Sequence, residues 1–159
     1  MSSTPSSLTQ AIEATCANGV EEVIRERRPE DLELLRTALQ EDADVSPAVR
    51  QNAIHILGRW GDTESAGPIR SLLPRFDERE RINAVDALGH LAGAEAEEGV
   101  LQLAQDQSPD VRRFATYALA NLGTDTSTAR LDRMESSDPA ERVRTAAARA
   151  RQGLRGVPE

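Results

Sequence analysis

The chain of 159 residues carries 27 acidic and 19 basic side chains, a net charge of −8 and a pI near 4.9, so nonspecific nucleic-acid binding is not its default. One cysteine, Cys16, rules out an intramolecular disulfide and a cysteine-rich zinc site, and no apolar run approaches the ~18 residues of a membrane span. Aromatics make up only 3% while alanine and leucine fill the apolar positions, which suits closely packed helices better than a β-sandwich.

Residues 1–6 are rich in Ser, Thr and Pro and read as a frayed start. The opening MSSTPSSLTQ also lacks the basic residues and apolar core of a secretory signal, so the expectation is a soluble, cytoplasmic protein. Leu8, Ala11, Ile12 and Cys16 recur at helical spacing as far as Asn18-Gly19, which makes Cys16 a buried thiol rather than a nucleophile. Val20, Val23 and Ile24 begin a second short helix that ends near Arg27-Arg28. A third, over 29–40 (PEDLELLRTALQ), has acids in its first turn and Leu32, Leu35, Ala38 and Leu39 on one face. A loop over 41–45 follows.

From there a unit repeats. Residues 46–61 (SPAVRQNAIHILGRWG), 77–92 (DERERINAVDALGHLA) and 108–123 (SPDVRRFATYALANLG) align on Arg50, Arg81 and Arg112, 31 residues apart. A weaker fourth copy carries Val143-Arg144, 32 residues on. A fixed period of this size marks a stacked-repeat architecture. Ser46-Pro47 and Ser108-Pro109 place a capping hydroxyl before a proline at the first helical position, Asp138-Pro139 reads the same way, and Gly61 and Gly123 close their helices. Shorter helices are expected over 63–73, 95–105 and 126–134. Pro68 and Gly99 share a register there, which predicts that the first helix of each pair is bent or starts late. The expected fold is all-α, an α-solenoid of antiparallel helix pairs. It forms one domain over 1–159, with cap helices over 1–45, central repeats over 46–137, and a terminal cap helix and tail over 138–159.

On the repeated helix, Val49, Ala53, Ile56, Leu57 and Trp60 share one side. Their equivalents are Ala84, Ala87, Leu88 and Leu91, then Val111, Ala115, Ala118, Leu119 and Leu122. Ala53, Ala84, Ala115 and Ala147 recur in all four copies and permit close approach of a neighbour. Glu80 in place of a valine predicts an edge open to solvent. Arg151 in place of a leucine predicts an outer side that no later repeat covers.

The phrase VRxxAxxALxxLG is carried by Val111-Arg112, Ala115, Ala118-Leu119 and Leu122-Gly123, and nearly as well by Val49-Arg50, Ala53, Leu57 and Gly61. It resembles the short HEAT-like repeats typified by the phycobilisome (bilin) lyase family, over about residues 29–154. That resemblance implies HEAT-like helix pairs, and it implies that Arg50, Arg112 and Arg144 brace an acidic or carbonyl group in an adjacent repeat. Arg81, which follows Glu80, fits that role less closely. Anion binding is the functional alternative, but recurrence in every copy favours architecture. The resemblance does not assign a function, because such repeats serve adaptors, scaffolds, chaperones and a few enzymes.

Chemistry is hard to find. Among HEAT-like proteins the iron-dependent deoxyhypusine hydroxylases use His-Glu pairs as ligands, whereas here His55 precedes Ile56 and His90 precedes Leu91. No set of three or four ligands falls at metal-site spacing, and there is no glycine-rich phosphate loop or G-x-S-x-G elbow. Glu95, Glu97 and Glu98 read as a solvated helix start. The expectation is a protein that is not an enzyme, with no catalytic residue, metal or cofactor.

If the apolar side of the repeated helix faces its neighbours, the opposite side lines the concave groove. Candidate partner-binding residues there are Gln51, His55, Arg59, Asp86, His90, Arg113, Phe114, Tyr117, Asn121 and Arg149, accompanied by Ile82, Thr145, Asn52 and Asn83. The column His55–Asp86–Tyr117–Arg149 changes identity in every copy, as a specific groove would and as drift at unconstrained surface sites also would. Phe114 and Tyr117 beside arginine are typical interface anchors, with burial against the last helix as the other reading, stronger for Phe114. Residues 141–156 hold five arginines against Glu141, while residues 1–50 hold ten acids against five arginines. All the basic residues are arginine, which compositional bias of a genome or adaptation to high salt would produce. A basic terminal helix steers another protein with an acidic segment, or the acidic end of a second copy in self-association.

The leading expectation is a noncatalytic interaction scaffold or adaptor that binds a partner helix or peptide in its groove. An accessory subunit or lyase-like chaperone for a cofactor-bearing protein comes second. A nucleic-acid binder akin to the HEAT-like DNA glycosylases comes third, since Asp86 is the only centrally placed acid.

Overall fold

In a computed structural model that describes residues 7–155, ten α-helices follow one another, and the described residues contain no strand. The start expected over 1–6 lies outside the described residues, as does the end of the tail at 156–159. The helices are α1 (Ser7–Thr15), α2 (Val20–Glu26), α3 (Pro29–Thr37), α4 (Pro47–Trp60), α5 (Ala66–Leu72), α6 (Glu78–His90), α7 (Ala94–Leu103), α8 (Pro109–Leu122), α9 (Asp125–Ser137) and α10 (Glu141–Arg155).

The ends of the repeated helices follow from local chemistry. The Ser46 and Ser108 hydroxyls accept the Val49 and Val111 N–H groups, with Pro47 and Pro109 in the first turn, where no N–H is needed. At α6 the capping group is reciprocal: Asp77 Oδ1 accepts the Glu80 N–H at 2.8 Å, and Glu80 Oε2 accepts the Asp77 N–H at 2.8 Å. Glu80, half-exposed at the edge of its helix, is therefore tied to the cap as well as open to solvent. Gly61 and Gly123 close α4 and α8 in the left-handed conformation, at φ of 69° and 62°.

Two expectations about helix ends are corrected. α10 begins at Glu141, so Pro139 is not its first residue and Asp138 is not its N-cap; Asp138 ends α9 and turns its carboxylate to the Ala140 N–H. Pro68 does mark a late start, because a single 3-10 turn over Thr63–Ser65 precedes α5 and puts the proline in the first turn. Gly99 does not, because α7 runs through it. A Cβ there would meet Leu88 Cδ1 at 2.8 Å, so the glycine makes room for a neighbouring leucine.

One buried cluster runs the length of the stack, from Ile12 and Val23 through Leu57, Leu88 and Leu119 to Val143 and Ala150. The repeated helices α4, α6, α8 and α10 pack successively side by side, whereas in the other row α7 and α9 meet only sparsely. The α4–α6–α8–α10 row is thus the more tightly packed of the two, as the inner row of a curved repeat stack would be. Ala53, Ala84, Ala115 and Ala147 are fully buried in that row. Two glycines in the same row mark further close approaches. A Cβ on Gly58 would lie 2.7 Å from Ala87 Cα, and one on Gly89 would lie 2.8 Å from Ala118 Cβ. At the amino-terminal end α1, α2 and α3 cover α4, and the buried Trp60 indole N–H donates to the Ile24 carbonyl at 3.1 Å, pinning α2 to the first repeat.

The repeated arginines are braces, Arg81 included. Arg81 Nε donates to Asp106 Oδ2 at 2.7 Å and its Nη1 to the Phe76 carbonyl at 2.7 Å. Arg112 forks onto Asp138 at 2.8 and 3.0 Å while its Nη1 donates to the Asp106 carbonyl at 2.8 Å. Arg144 Nη1 donates in turn to the Asp138 carbonyl at 2.7 Å. Each aspartate thus joins two arginines, one by its carboxylate and one by its carbonyl, so that a line Arg81–Asp106–Arg112–Asp138–Arg144 stitches successive repeats. Arg50 lacks the carboxylate because Arg75 occupies the position equivalent to Asp106; it donates instead to the Ala38 and Ala43 carbonyls, both at 3.0 Å. Arg151 turns back to Asp132 and Glu135 on α9 rather than outward, so the exposed side of α10 is presented by Glu141, Arg142, Thr145 and Arg149.

Candidate partner-binding face

Every candidate residue except Arg59 lines a depression, but the depressions are three, not one continuous trough. The first, about 770 Å³, lies between α4, α6 and α8 and gathers Gln51, His55, Asp86 and Phe114 with Asn52, Ile82 and Asn83. Asn83 Nδ2 donates to Gln51 Oε1 at 2.6 Å and to the Gln51 carbonyl at 3.2 Å, which ties α6 to α4 and leaves Gln51 Nε2 shielded without an acceptor. The second, about 370 Å³, lies between α8 and α10 and gathers Arg113, Tyr117 and Arg149 with Arg142, Thr145 and Glu141. The third, about 530 Å³, gathers His90 and Asn121 at the carboxyl ends of α6 and α8. Arg59 is exposed on α4 and lines none of them.

The aromatic pair divides. Phe114 is half-buried, packed against the core and lining the Ile82 depression, and the Arg113 guanidinium lies 4.8 Å from its ring centroid. Tyr117 stays 44% exposed, the one large hydrophobic among the described residues to do so. Around it, Arg142 meets Asp110 at 3.4 Å and Arg113 approaches Asp110 at 3.7 Å. Asp86 and His90 stand one turn apart on α6, with His90 Nδ1 2.8 Å from the Asp86 carbonyl. The face therefore changes character along its length: Asp77, Glu80 and Asp86 outnumber Arg79 around the first depression, and Arg113, Arg142 and Arg149 outnumber Glu141 around the second.

No three His, Cys, Asp or Glu side chains come together as a metal-holding group among the described residues, and no helix there is long and apolar enough to cross a membrane. Cys16 is half-buried; burial first, and then the charge of Asp31, push its thiol above the usual range.

The family model for HEAT repeats matches residues 68–151, slightly more than half of the chain. The chain belongs to the HEAT-repeat family. The match begins inside α5 and ends inside α10, and α4 continues the same register upstream of it. It is a match to HEAT repeats in general and does not single out the bilin-lyase type. Among curated proteins none matches this HEAT-repeat chain. HEAT repeats are generally protein-interaction scaffolds.

Sequence reasoning missed several residues that shape the face. Gly58 and Gly89 set how closely α4, α6 and α8 approach, and the Gln51–Asn83 pair links two of them. Asp106 and Asp138 hold the arginines that orient these helices. Their signal was present, since both precede a helix at equivalent positions in successive repeats.

Proposed function

We propose that this HEAT-repeat chain is a noncatalytic scaffold that binds a helix or extended segment of another protein along the α4–α6–α8–α10 face. The observation that carries this reading is Tyr117, an exposed aromatic set among Arg113, Arg142 and Arg149 on the inner row. A tyrosine offers a large apolar ring with a polar end at low entropic cost, and flanking guanidiniums add charge-assisted hydrogen bonds, the usual make-up of an interface anchor. The basic surroundings favour an acidic segment of the partner at this end. The first depression, with its amides and the edge of Phe114, supplies donors and acceptors for a main chain running on toward α4.

The test is capture of native partners from the source cell with tagged wild type and with Tyr117→Ala combined with Arg149→Ala. Both side chains are exposed, so helical content by circular dichroism stays unchanged. The expected result is loss of the captured partner in the double variant. Undiminished capture sinks the assignment of the face.

A further inference from the structure

A second arginine cluster lies away from this face, in a cleft between the α7–α8 loop and α9. Ala104, Asp106, Arg112, Arg130, Arg133 and Asp138 are among its lining residues, and it encloses about 260 Å³. Its two carboxylates are already satisfied. Asp106 accepts from Arg81 and from the Ser108 N–H, and Asp138 accepts from Arg112 and from the Ala140 N–H. Those two aspartates and the two arginines that fork onto them cancel, which leaves Arg130 and Arg133 as uncompensated positive charges.

Arg130 is the unusual member. Its Nη2 donates to a neutral acceptor, the Ala104 carbonyl, at 3.0 Å, and its Nε–H is shielded from solvent with no acceptor at all. Arg133 follows one turn later on the same helix and faces the same cleft. Among the described residues neither forms an ion pair, although the chain carries a large acidic excess and most of its partly buried arginines find a carboxylate or two carbonyls. Two like charges one turn apart, one of them half-buried, are unfavourable as they stand. Burial first, and then the charge of Arg133, push the Arg130 guanidinium below its ordinary range, with Asp138 opposing.

We propose that the Arg130–Arg133 cleft is a binding site for a phosphate-class dianion, free phosphate or a phosphate monoester. Two uncompensated guanidiniums match a double negative charge, and their planar forks pair with tetrahedral oxyanions more strongly than neutral donors do. The cleft is large enough for one phosphate group and is independent of the partner-binding face, which lies on the other row of helices.

Calorimetric titration of inorganic orthophosphate into the whole protein, at ionic strength held constant with sodium chloride, tests the site. Saturable binding of one phosphate per chain is expected, tighter at pH 8 than at pH 6, because the dianion forms across that range. Arg133→Gln, an exposed position where folding is not at stake, weakens binding by about tenfold or more, as does Arg130→Gln, while Arg25→Gln, exposed on α2 and outside both surfaces, leaves it unchanged. O-phosphoserine binding as tightly as orthophosphate assigns the cleft to a monoester carried on a larger molecule, and orthophosphate binding alone assigns it to the free ion. Absence of saturable binding, equal affinity in Arg133→Gln, or no change between pH 6 and pH 8 overturns the proposal.

Discussion

At the scale of single residues, the repeats are held in line by aspartates. Asp138 is buried and accepts three hydrogen bonds, two from Arg112 and one from the Ala140 N–H, while its carbonyl receives Arg144. Burial raises its carboxyl, but the Arg112 fork and the Ala140 N–H outweigh burial and hold it below the usual carboxylate range. Asp62 behaves alike: burial opposes, while Arg36 and Ser65 hold it down. A carboxyl depressed in the folded state contributes stability that is present above its unfolded value and lost as pH falls through its folded value. Stability should therefore decline as pH falls below about 4, the unfolded aspartate value. Asp138→Asn should destabilise by about 2–3 kcal/mol at pH 7, since it leaves Arg112 without its buried partner. Urea melts of both proteins from pH 7 to pH 3 check this. The gap between them should narrow with acid, and a gap that stays constant removes Asp138 from the acid response.

At the scale of elements, close approach decides where glycine stands. Ala is the better helix former by about 1 kcal/mol, so propensity alone favours replacing Gly58, Gly89 and Gly153. At Gly58 and Gly89 the added Cβ runs into the backbone or Cβ of Ala87 and Ala118, whereas at Gly153 it meets nothing within 4 Å. Thermal melts should show Gly58→Ala and Gly89→Ala destabilising by about 1–3 kcal/mol. Gly153→Ala should stabilise by up to about 1 kcal/mol. If all three stabilise, the helices are not in contact where the fold places them. The defect at Arg75 offers a second check. Arg75→Asp would put a carboxylate before Arg50 at the position that Asp106 and Asp138 hold before Arg81 and Arg112, in exchange for an exposed pair with Glu41. Exposed pairs contribute little, so the melting temperature should rise; a fall would show that Arg50 is already satisfied by its two carbonyls.

At the scale of the whole molecule, the fold was legible because its information is periodic. Helix identity, the apolar side of each repeated helix, and the caps at Ser46, Ser108, Gly61 and Gly123 can be read from one strand of sequence laid against itself. What could not be read depends on which residues meet across helices. Gly99 looked like a weak helix position until Leu88 was placed against it, and Asp138 looked like a cap until Arg112 and the late start of α10 gave it another partner. The candidate face was legible as a row of positions but not as a shape, since spacing cannot show that the row breaks into three depressions or that Arg59 stands apart. Partners are proposed to bind on the inner row at α8 and α10. Site-specific photo-cross-linking in the source cell tests it most directly, with a photoreactive side chain introduced at position 117 on α8 or at the exposed position 129 on α9. A cross-linked partner is expected from position 117 and none from position 129. Cross-linking from 129 with none from 117 would contradict it.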